Sequence, residues 1–353
     1  MSGDLRVLRL GVVGSGAMAE YHAKKFSSIP GVSVTACSDR SMEHARGFAQ
    51  RLGIRRWFTS TIELAKSGEV DCLSTALVDS AHARAALDAL RHGLPVFAEK
   101  PLARTLAEAE AMREAARNAG VPAAVNFSKR GAPAIAMARR LIAQGVLGTI
   151  RGGAFRYLQS WLLQDSWGRW DTTPRWRWRV SPAQSTDGVI GDLGSHLVDT
   201  IRFLLGGIRQ VSCFATAFTP DPDRPGEPGA PDSFAAVLRN EAGFLVSMRA
   251  SWRARGYLDQ FAFEIDGEDG SLAVNLAESR DTVRVFDPRA GGWSDRKAPP
   301  VPSTYEQFVD EVRGTGNEAP GFDEGVEIQR VIEACSVSAR EGRGVSLPGR
   351  MRA

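Results

Sequence analysis

The sequence is poor in cysteine and has no long hydrophobic run. Its 353 residues include 4 cysteines, which are scattered and form no Cys-x-x-Cys pair. We therefore expect neither a disulfide framework nor a metal site. No stretch approaches the ~18 apolar residues of a membrane span, so we expect no membrane partner. The first residues lack the apolar core of a signal peptide, and we therefore expect a cytoplasmic protein.

An excess of charge of either sign is also absent. Lys and Arg number 44 against 41 Asp and Glu, which gives a formal net charge of +3 without an obvious basic patch. This balance argues against a nucleic-acid partner. The chain has 43% hydrophobic and 24% charged residues, an ordinary globular composition. A chain of this length predicts about two domains.

The first third of the chain alternates short apolar strands with helical stretches. Strands followed by helices in this order predict a parallel sheet covered on both faces. The strands are predicted at 7–13, 32–38, 70–77, 95–98 and 122–126, and the helices at 19–28, 41–52, 81–92 and 106–119.

After about Ser128 the pattern changes to a run of strands separated by turns, which predicts an antiparallel sheet. We predict a dinucleotide-binding domain at 1–128 and a substrate and oligomerisation domain at 129–353. The helices within 305–340 are the part that could pack back between the two domains. The predicted elements are helices at 133–144, 196–205, 305–313 and 324–340, and strands at 152–159, 211–218, 233–239, 244–253, 258–266, 271–275 and 282–286.

A Gly-x-Gly-x-x-Ala pattern joins the first predicted strand to the first predicted helix. Gly14 permits a tight turn, Gly16 allows the backbone to approach a pyrophosphate, and Ala19 lets the helix pack close to the strand. The free N–H groups and the dipole at that helix start favour a phosphate. Asp39 ends the second strand about 20 residues later, at the spacing of a carboxylate that binds ribose hydroxyls. The arrangement favours dinucleotide binding over a merely structural turn.

Asp39 also bears on the choice between NAD and NADP. A carboxylate at this position accepts hydrogen bonds from both ribose hydroxyls and repels a 2′-phosphate, so it favours NAD. Arg40 and Arg46 keep NADP as the alternative, because an arginine there can pair with a phosphate or stack on adenine. The alternative interpretation of Arg40 is a side chain that is merely solvated.

Two further groups of polar residues suggest catalysis. Glu99 and Lys100 follow a buried strand, where open α/β sheets place their ligands, and Pro101 is a candidate cis proline. Asp192 and His196 are four residues apart at a predicted helix start and can share one face. From the residues alone, a helix N-cap and a buried core histidine explain the second pair about as well as catalysis does.

Together these motifs resemble the Gfo/Idh/MocA family, and the resemblance covers nearly the whole chain. It implies an α/β protein with an N-terminal Rossmann domain and a C-terminal α/β domain whose open sheet is mainly antiparallel. It also implies NAD(P)-dependent oxidation or reduction at a carbinol or carbonyl carbon of a sugar, anhydrosugar or cyclitol. The motifs that carry it are Gly-x-Gly-x-x-Ala at Gly14, the pair Asp39-Arg40, the run Ala98-Glu99-Lys100-Pro101-Leu102-Ala103, and the run Gly191-Asp192-Leu193-Gly194-Ser195-His196-Leu197-Val198-Asp199.

The resemblance assigns catalytic roles to Lys100, Asp192 and His196. Loss of the hydroxyl proton must accompany transfer of a hydride from an alcohol. A histidine at hydrogen-bond distance can take that proton while the lysine steadies the developing alkoxide. With the family as a guide, the cofactor-binding set is Gly14, Ser15, Gly16, Ala17, Met18, Asp39, Arg40, His82, Glu99 and Lys100.

The chain departs from the family pattern in three places. Leu77-Val78-Asp79 replaces the usual Thr-Pro-Asn, although His82 matches the histidine that follows it. Ser128-Lys129 stands where the family often has Asn-x before an arginine. Asp187 replaces a glycine that usually precedes the Asp192 motif. The catalytic set itself is intact.

A tryptophan-rich stretch precedes the Asp192 motif and holds five of the 8 tryptophans, namely Trp161, Trp167, Trp170, Trp176 and Trp178. An extended conformation would place Arg175, Arg177 and Arg179 on the face opposite Trp176 and Trp178. Aromatic faces stack on sugar rings, but packing or a subunit contact explains the composition equally well. The candidate substrate residues are Trp167, Trp176, Arg177 and Lys129.

The antiparallel sheet predicts self-association. Apolar positions at Phe244, Val246, Met248 and Trp252 cannot all be exposed, so one face should cover the domain's own helices. We expect the remaining face to pair subunits in a homodimer or homotetramer, as the family does. The alternatives for function are an NAD-dependent glycosidase of the same family and a non-enzymatic nucleotide-binding regulator.

Overall fold

The computed structural model describes residues 7–164, 167–316 and 319–348, without the side chains of residues 174 and 175. The description therefore excludes the first six residues, which belong to the segment considered for a signal peptide. It also excludes the side chain of Arg175, which belongs to the predicted alternating pattern. The chain divides into two compact units. Unit 1 comprises Met1–Phe127 with Thr304–Val326, and unit 2 comprises Ser128–Ser303 with Glu327–Ala353. The sequence assigned 129–353 to the second domain, with the helices within 305–340 as the part that could pack back, and residues 304–326 group with unit 1.

Unit 1 is built on a parallel sheet of six strands in the order β3-β2-β1-β4-β5-β6. The order reverses between β1 and β4, which is the point where doubly wound sheets bind their ligands. The strands are β1 Leu8–Val13, β2 Val32–Ser38, β3 Arg56–Phe58, β4 Cys72–Thr75, β5 Val96–Ala98 and β6 Ala123–Val125.

The helices of unit 1 begin and end at residues suited to those positions. The side chains of Ser41, Ser60 and Thr105 each accept a hydrogen bond from the first turn of the helix that follows. Gly53 and Gly120 end two helices in the left-handed conformation. The helices are α1 Ala17–Ser27, α2 Met42–Leu52, α3 Thr61–Lys66, α4 Asp79–Leu90, α5 Leu106–Ala119 and α10 Thr304–Arg313.

Helix α10 belongs to unit 1 because it supplies part of the aromatic core. Tyr305 and Phe308 pack against Phe26 and Phe97, with ring centroids 5.0–6.2 Å apart. All four residues are at most 4% exposed. Burial of four aromatic rings is a large hydrophobic gain, and it accounts for the return of the chain to the first unit near its end.

Unit 2 contains a nine-stranded sheet in the order β14-β13-β12-β11-β7-β10-β9-β8-β15. The described strand pairs are antiparallel except for β7 and β10, which run parallel at the centre of the sheet. The strands are β7 Ile150–Leu158, β8 Ile208–Thr216, β9 Ser233–Asn240, β10 Leu245–Ser251, β11 Gln260–Gly267, β12 Ser271–Asn275, β13 Thr282–Asp287, β14 Gly292–Lys297 and β15 Val345–Ser346.

Helices cover one face of this sheet. Val246 and Met248 on β10 are buried, while their neighbours Leu245 and Ser247 are exposed on the other face. This division confirms that one face covers the unit's own helices. The helices of unit 2 are α6 Pro133–Ala143, α7 Pro174–Arg177, α8 Val189–Asp192 and α9 Gly194–Leu205, and α11 Phe322–Glu341 crosses the boundary between the units.

The architecture confirms the predicted fold class, a parallel α/β domain followed by a mainly antiparallel open sheet. The expected extended conformation of 175–179 is wrong, because α7 and a 3-10 turn at Trp178–Val180 occupy the segment. Pro174 at the first helical position favours that start. Within the described ranges, no helix is both long and apolar enough to cross a membrane.

Candidate active site

The glycine-rich turn leaves the start of α1 open. Gly14 has φ +105°, and a Cβ atom there would lie 2.4 Å from the carbonyl oxygen of Ala76. Gly16 is the N-cap of α1, and a Cβ atom at Gly16 would meet nothing within 4 Å. The first N–H groups of α1 thus border open space. A pyrophosphate fits this cradle, because it satisfies those donors and lies at the positive end of the helix dipole.

Asp39 lies beside this turn, held by two short contacts. Its Oδ2 accepts a hydrogen bond from the Ser15 hydroxyl at 2.5 Å, and its Oδ1 accepts one from the N–H of Ser41 at 3.0 Å. The carboxylate is therefore oriented toward the turn from the end of β2. Ala17, Met18 and Arg40 are exposed around it. These residues fit a dinucleotide with its pyrophosphate on α1 and a ribose at Asp39.

Glu99 is buried at the end of β5, and its carboxylate is occupied by neighbouring groups of unit 1. Its Oε1 lies 2.7 Å from Nε2 of His22 and accepts a hydrogen bond from Nδ2 of Asn126 at 2.6 Å. Its Oε2 accepts a hydrogen bond from the backbone N–H of Lys100 at 3.2 Å. Both oxygens of Glu99 thus make contacts within unit 1, and one of them holds the backbone of Lys100.

The charge of Glu99 is stabilised by the same contacts. Burial by itself raises the pKa of this carboxyl. The hydrogen bond and charge of His22, the charge of Lys100 and the amide of Asn126 outweigh burial and bring the pKa to about 2. The Tyr305 hydroxyl accepts a hydrogen bond from Nδ2 of Asn126 at 2.9 Å, and burial together with the Glu99 charge raises the pKa of its phenol. The Glu99 side chain is thus ionised at neutral pH and contacts the backbone of Lys100.

His82 supports the same corner from α4. The residue is 1% exposed, with Nδ1 lying 3.2 Å from the Pro101 carbonyl oxygen and Nε2 lying 2.9 Å from that of Leu77. Both ring nitrogens of His82 thus lie against main-chain carbonyl oxygens of this corner. The Lys100–Pro101 peptide bond is cis, as the sequence suggested. Lys100 itself is half-buried at the carboxyl end of the parallel sheet.

In unit 2, Asp192 is fixed by two side chains. Its Oδ2 accepts a hydrogen bond from Nε1 of Trp252 at 3.1 Å and lies 3.9 Å from Nε of Arg179. Asp192 ends the short helix α8, and α9 starts two residues later after Leu193. Leu193 itself has helical φ and ψ values of −89° and −35°, so Asp192 and His196 are four residues apart across this junction. Asp192 is not a side-chain N-cap of α9.

His196 lies in the first turns of α9 and is 6% exposed. Its ring centroid is 5.9 Å from that of Tyr157 on β7. The helix is anchored by Asp199, whose Oδ1 accepts hydrogen bonds from Nε and Nη2 of Arg130 at 2.9 and 2.7 Å. This buried, charge-assisted pair holds α9 against the start of unit 2 and so sets the position of His196.

The tryptophans of the loop form an aromatic cluster that leads to Asp192. Trp176 lies 5.9 Å from Trp167 and 6.1 Å from Trp161, and Trp161 lies 5.1 Å from Trp252. The guanidinium of Arg179 stacks on Trp176 at 4.9 Å. The structure thus connects both predicted substrate tryptophans to the Asp192 contacts.

The other two predicted substrate residues make different contacts. Arg177 is exposed at the end of α7 and lies 3.6 Å from the Asp223 carboxylate, so it connects α7 to the segment that holds Asp223. Lys129 is buried, with Nζ 3.5 Å from Oδ2 of Asp259 and 4.6 Å from the Tyr157 ring. Lys129 therefore lies with Tyr157 and Asp259 on the side of the sheet that holds His196.

Asp187 explains one departure from the family pattern. Its φ is +49°, in the left-handed region that glycine adopts most easily. The Asp187 side chain accepts a hydrogen bond from the Ser336 hydroxyl at 2.6 Å. An aspartate is among the residues that tolerate this conformation, and the added hydrogen bond offsets part of its cost.

Several residues of these sites were not identified from the sequence. His22 carried a usable signal, because it lies one turn after Ala19 in the helix that follows the glycine-rich turn. No local sequence signal identifies Trp252 or Asp259 as a site residue. The pairing of β7, β10 and β11 brings Trp252 near Asp192 and Asp259 near Tyr157.

Comparison with known proteins places both halves of the chain in one family. The family model described as "Oxidoreductase family, NAD-binding Rossmann fold" matches residues 8–127, and the "GFO/IDH/MocA C-terminal domain" model matches residues 135–273. The two matches together span most of the chain.

Characterised relatives extend over nearly the same length. Levoglucosan dehydrogenase from Pseudarthrobacter phenanthrenivorans is 24% identical over 395 residues, covering 97% of this chain and 98% of that protein. Inositol 2-dehydrogenase 2 from Saccharopolyspora erythraea is 29% identical over 294 residues, covering 80% of each. A solved structure titled "Levoglucosan dehydrogenase, complex with NADH and levoglucosan" shares the fold with a TM-score of 0.88, at 24% identity over 97% of this chain and 100% of that one.

The glycine-rich turn with Asp39, the parallel sheet of unit 1, the open sheet of unit 2 and the two family matches lead to one conclusion. This chain belongs to the Gfo/Idh/MocA family of oxidoreductases, with an NAD-binding Rossmann fold in its first unit.

Proposed function

We propose that this protein is an NAD-dependent dehydrogenase that acts on a carbinol group of a sugar, anhydrosugar or cyclitol. The observation that carries the proposal is the environment of His196, whose ring lies beside that of Tyr157. In the same unit, Asp192 accepts a hydrogen bond from Trp252, which belongs to an aromatic cluster. Aromatic faces and charged hydrogen-bonding groups suit a polyhydroxylated ring. The named activities of the relatives support the same class of substrate.

The residues of this chain divide the work of alcohol oxidation. His196 accepts the hydroxyl proton, and the ammonium of Lys100 stabilises the negative charge that develops on the oxygen. Asp192 orients the substrate or His196 from its fixed position beside Trp252. Glu99 holds the Lys100 backbone through its N–H. When bound, NAD supplies the acceptor for the hydride that leaves the carbinol carbon.

A substrate panel tests the proposal. Sugars, cyclitols and anhydrosugars, including levoglucosan, myo-inositol and D-xylose, would be incubated with the protein and NAD+ or NADP+, and NADH or NADPH would be followed by absorbance. We expect accumulation of NADH with at least one substrate. Glycoside cleavage without net NADH would favour the glycosidase alternative. Nucleotide binding with neither reaction would favour a regulator.

Asp39 should determine the cofactor preference. Replacement by Ser in Asp39→Ser removes the charged acceptor for the ribose hydroxyls, so NAD+ affinity should fall about 10- to 100-fold. NADP+ affinity should change less or improve, because the repulsion of its 2′-phosphate is also removed. Titration of both cofactors by protein fluorescence measures the ratio. Glu43→Ser on α2 is the control for the lost negative charge, since Glu43 is exposed in the first turn.

We propose that the face of the unit 2 sheet opposite its helices pairs subunits in a homodimer or homotetramer. This face exposes Phe214, Val237 and Leu245, with exposed fractions of 77%, 46% and 49%. Contiguous exposed apolar residues of this kind are typical of an interface. The apolar residues Val246, Met248 and Trp252 are buried within the unit and do not take part.

A charge placed on this face should dissociate the oligomer. Phe214→Glu would bury an unpaired carboxylate in the interface, so light scattering should report monomers where the original protein gives a dimer or tetramer. Met42→Glu, at an exposed apolar residue of unit 1, should leave the mass unchanged. A monomeric original protein at micromolar concentration would contradict the proposal.

A cytoplasmic location is part of the same proposal. Cys37, Cys72, Cys213 and Cys335 are free and buried in the structure. Thiols that remain unpaired suit a reducing compartment.

A further inference from the structure

A second polar cluster lies at the end of β7 in unit 2. Strands β7 and β11 are antiparallel, with Leu158 opposite Gln260. Gln159, just after β7, and Asp259, just before β11, therefore meet at the same end of the sheet. Tyr157 and Lys129 complete the cluster. None of these residues is needed for the proton transfer proposed above.

Asp259 is held in one orientation by its neighbours. Its Oδ1 accepts hydrogen bonds from the Tyr157 hydroxyl at 2.6 Å and from Nε2 of Gln159 at 3.0 Å. Both donors are buried, with exposed fractions of 5% and 7%. The Asp259 side chain nevertheless remains 50% exposed. Two buried donors thus fix a carboxylate whose other side faces outward.

Lys129 faces the second oxygen of that carboxylate. Its Nζ lies 3.5 Å from Oδ2 of Asp259, which is longer than the 2.7–2.9 Å of a direct charge-assisted hydrogen bond. The lysine side chain is only 10% exposed and lies over the Tyr157 ring. An acceptor and a donor therefore lie side by side in this cluster.

The cluster borders His196. The Tyr157 ring, which holds Asp259, also contacts the His196 ring with centroids 5.9 Å apart. Burial raises the pKa of Asp259, but the charge of Lys129 and the hydrogen bonds from Tyr157 and Gln159 lower it overall. Asp259 thus remains a carboxylate, and therefore a hydrogen-bond acceptor, next to the group that takes the substrate proton.

We propose that Asp259 and Lys129 form a subsite for two adjacent hydroxyl groups of a neutral sugar or cyclitol, with Asp259 accepting from one hydroxyl and Lys129 donating to the other. This assignment rests on the proposed function of His196. The substrate class is neutral because the charges of Asp259 and Lys129 offset each other, so the pair presents no net positive charge to a phosphate or a sugar acid. The charge of Lys129 is already balanced by Asp259.

Two substitutions test the subsite. Asp259→Asn keeps an oxygen for Tyr157 and Gln159 but replaces the second acceptor by an amide, and Lys129→Met keeps the length of the side chain without its donor. Asp266→Asn, on an exposed residue at the other end of β11, is the matched control. Thermal unfolding of each variant shows whether the fold is retained.

Binding would be measured by tryptophan fluorescence of the NADH-loaded protein, with levoglucosan, myo-inositol and D-xylose as probes. Each probe would be compared with its monodeoxy analogues. For a parent compound that binds, each substitution should weaken binding about 10- to 100-fold. For the analogue that lacks the recognised hydroxyl, the loss should shrink to less than about 3-fold, because the interaction is already missing.

The outcomes separate the subsite from the proposed function. Equal losses for parent and deoxy compounds would overturn the subsite and make the pair a structural ion pair. Unchanged binding in both variants, with turnover intact, would do the same while leaving the dehydrogenase proposal in place. If the original protein neither binds nor oxidises any probe or other member of the substrate panel, the dehydrogenase proposal fails and the subsite fails with it.

Discussion

His196→Ala should lower kcat by about 10²–10⁴-fold on the substrate that the panel identifies, because a positioned acid–base group contributes about that factor. The dissociation constant for NAD+ should change only modestly, since the cofactor contacts proposed here belong to unit 1. Steady-state kinetics and a separate NAD+ titration measure the two effects. Lys100→Ala should show a similar loss of kcat with a larger effect on NAD+ affinity. The reason is that Lys100 lies at the carboxyl end of the parallel sheet, where we propose that the cofactor binds.

Two controls make this result specific. His92→Ala changes an exposed histidine at the end of α4 and should leave kcat unchanged. Added imidazole should partly restore His196→Ala, because a small base can occupy the space left by the ring. Near-normal kcat in His196→Ala would assign proton transfer elsewhere, with Lys100 as the first candidate.

His22→Leu should destabilise the protein by about 3–5 kcal/mol, because it leaves the Glu99 carboxylate buried without its partner. His22 is fully buried, and its Nε2 lies 2.7 Å from the carboxylate. Urea unfolding at pH 7 measures the change. His44→Leu, at an exposed position of α2, should alter stability by no more than about 0.5 kcal/mol. The double change His22→Leu with Glu99→Met should recover part of the loss, because no buried charge then remains.

The pH dependence gives a second measure of the pair. The folded-state pKa of Glu99 is about 2, below the unfolded value of about 4.3. Its stabilising contribution is therefore complete above pH ~4.3 and is lost as the pH falls toward 2. In His22→Leu, burial should raise the pKa, so Glu99 takes up a proton on mild acidification. The stability gap to the original protein should narrow between pH 7 and 5, and a constant gap would show that the loss comes from packing alone.

Much of the fold followed from local pattern. The structure has β2 at Val32–Ser38, α5 at Leu106–Ala119 and β12 at Ser271–Asn275, the bounds that the sequence predicts. Each has a strong local signal, either a short segment rich in apolar residues that follows a glycine or a capped amphipathic helix. Strand β3 and helix α3 were missed because they are short, and most of β3 is exposed.

The catalytic candidates were identifiable because their motifs are local. Gly14 and Gly16 mark the turn through their missing side chains, and Lys100 and His196 lie within short runs that match the family. Their supporting contacts were not identifiable in this way. Glu99 meets His22 across 77 residues of sequence, and Trp252 meets Asp192 across 60.

Local sequence therefore determined the glycine-rich turn, the order of strands and helices and the residues that we propose for the chemistry. Steric preferences and side-chain periodicity act over a few residues, which is why these features are visible in the sequence. Tertiary structure decided what each charged group contacts. The sequence suggests that Glu99 binds the cofactor, whereas the packing of α1 on the sheet brings His22 to the Glu99 carboxylate. No local sequence pattern marks Asp259 as a binding residue. The pairing of β7 and β11 places it beside Tyr157 and Lys129. Long-range pairing sets both environments, and the short-range pattern of the chain does not encode it.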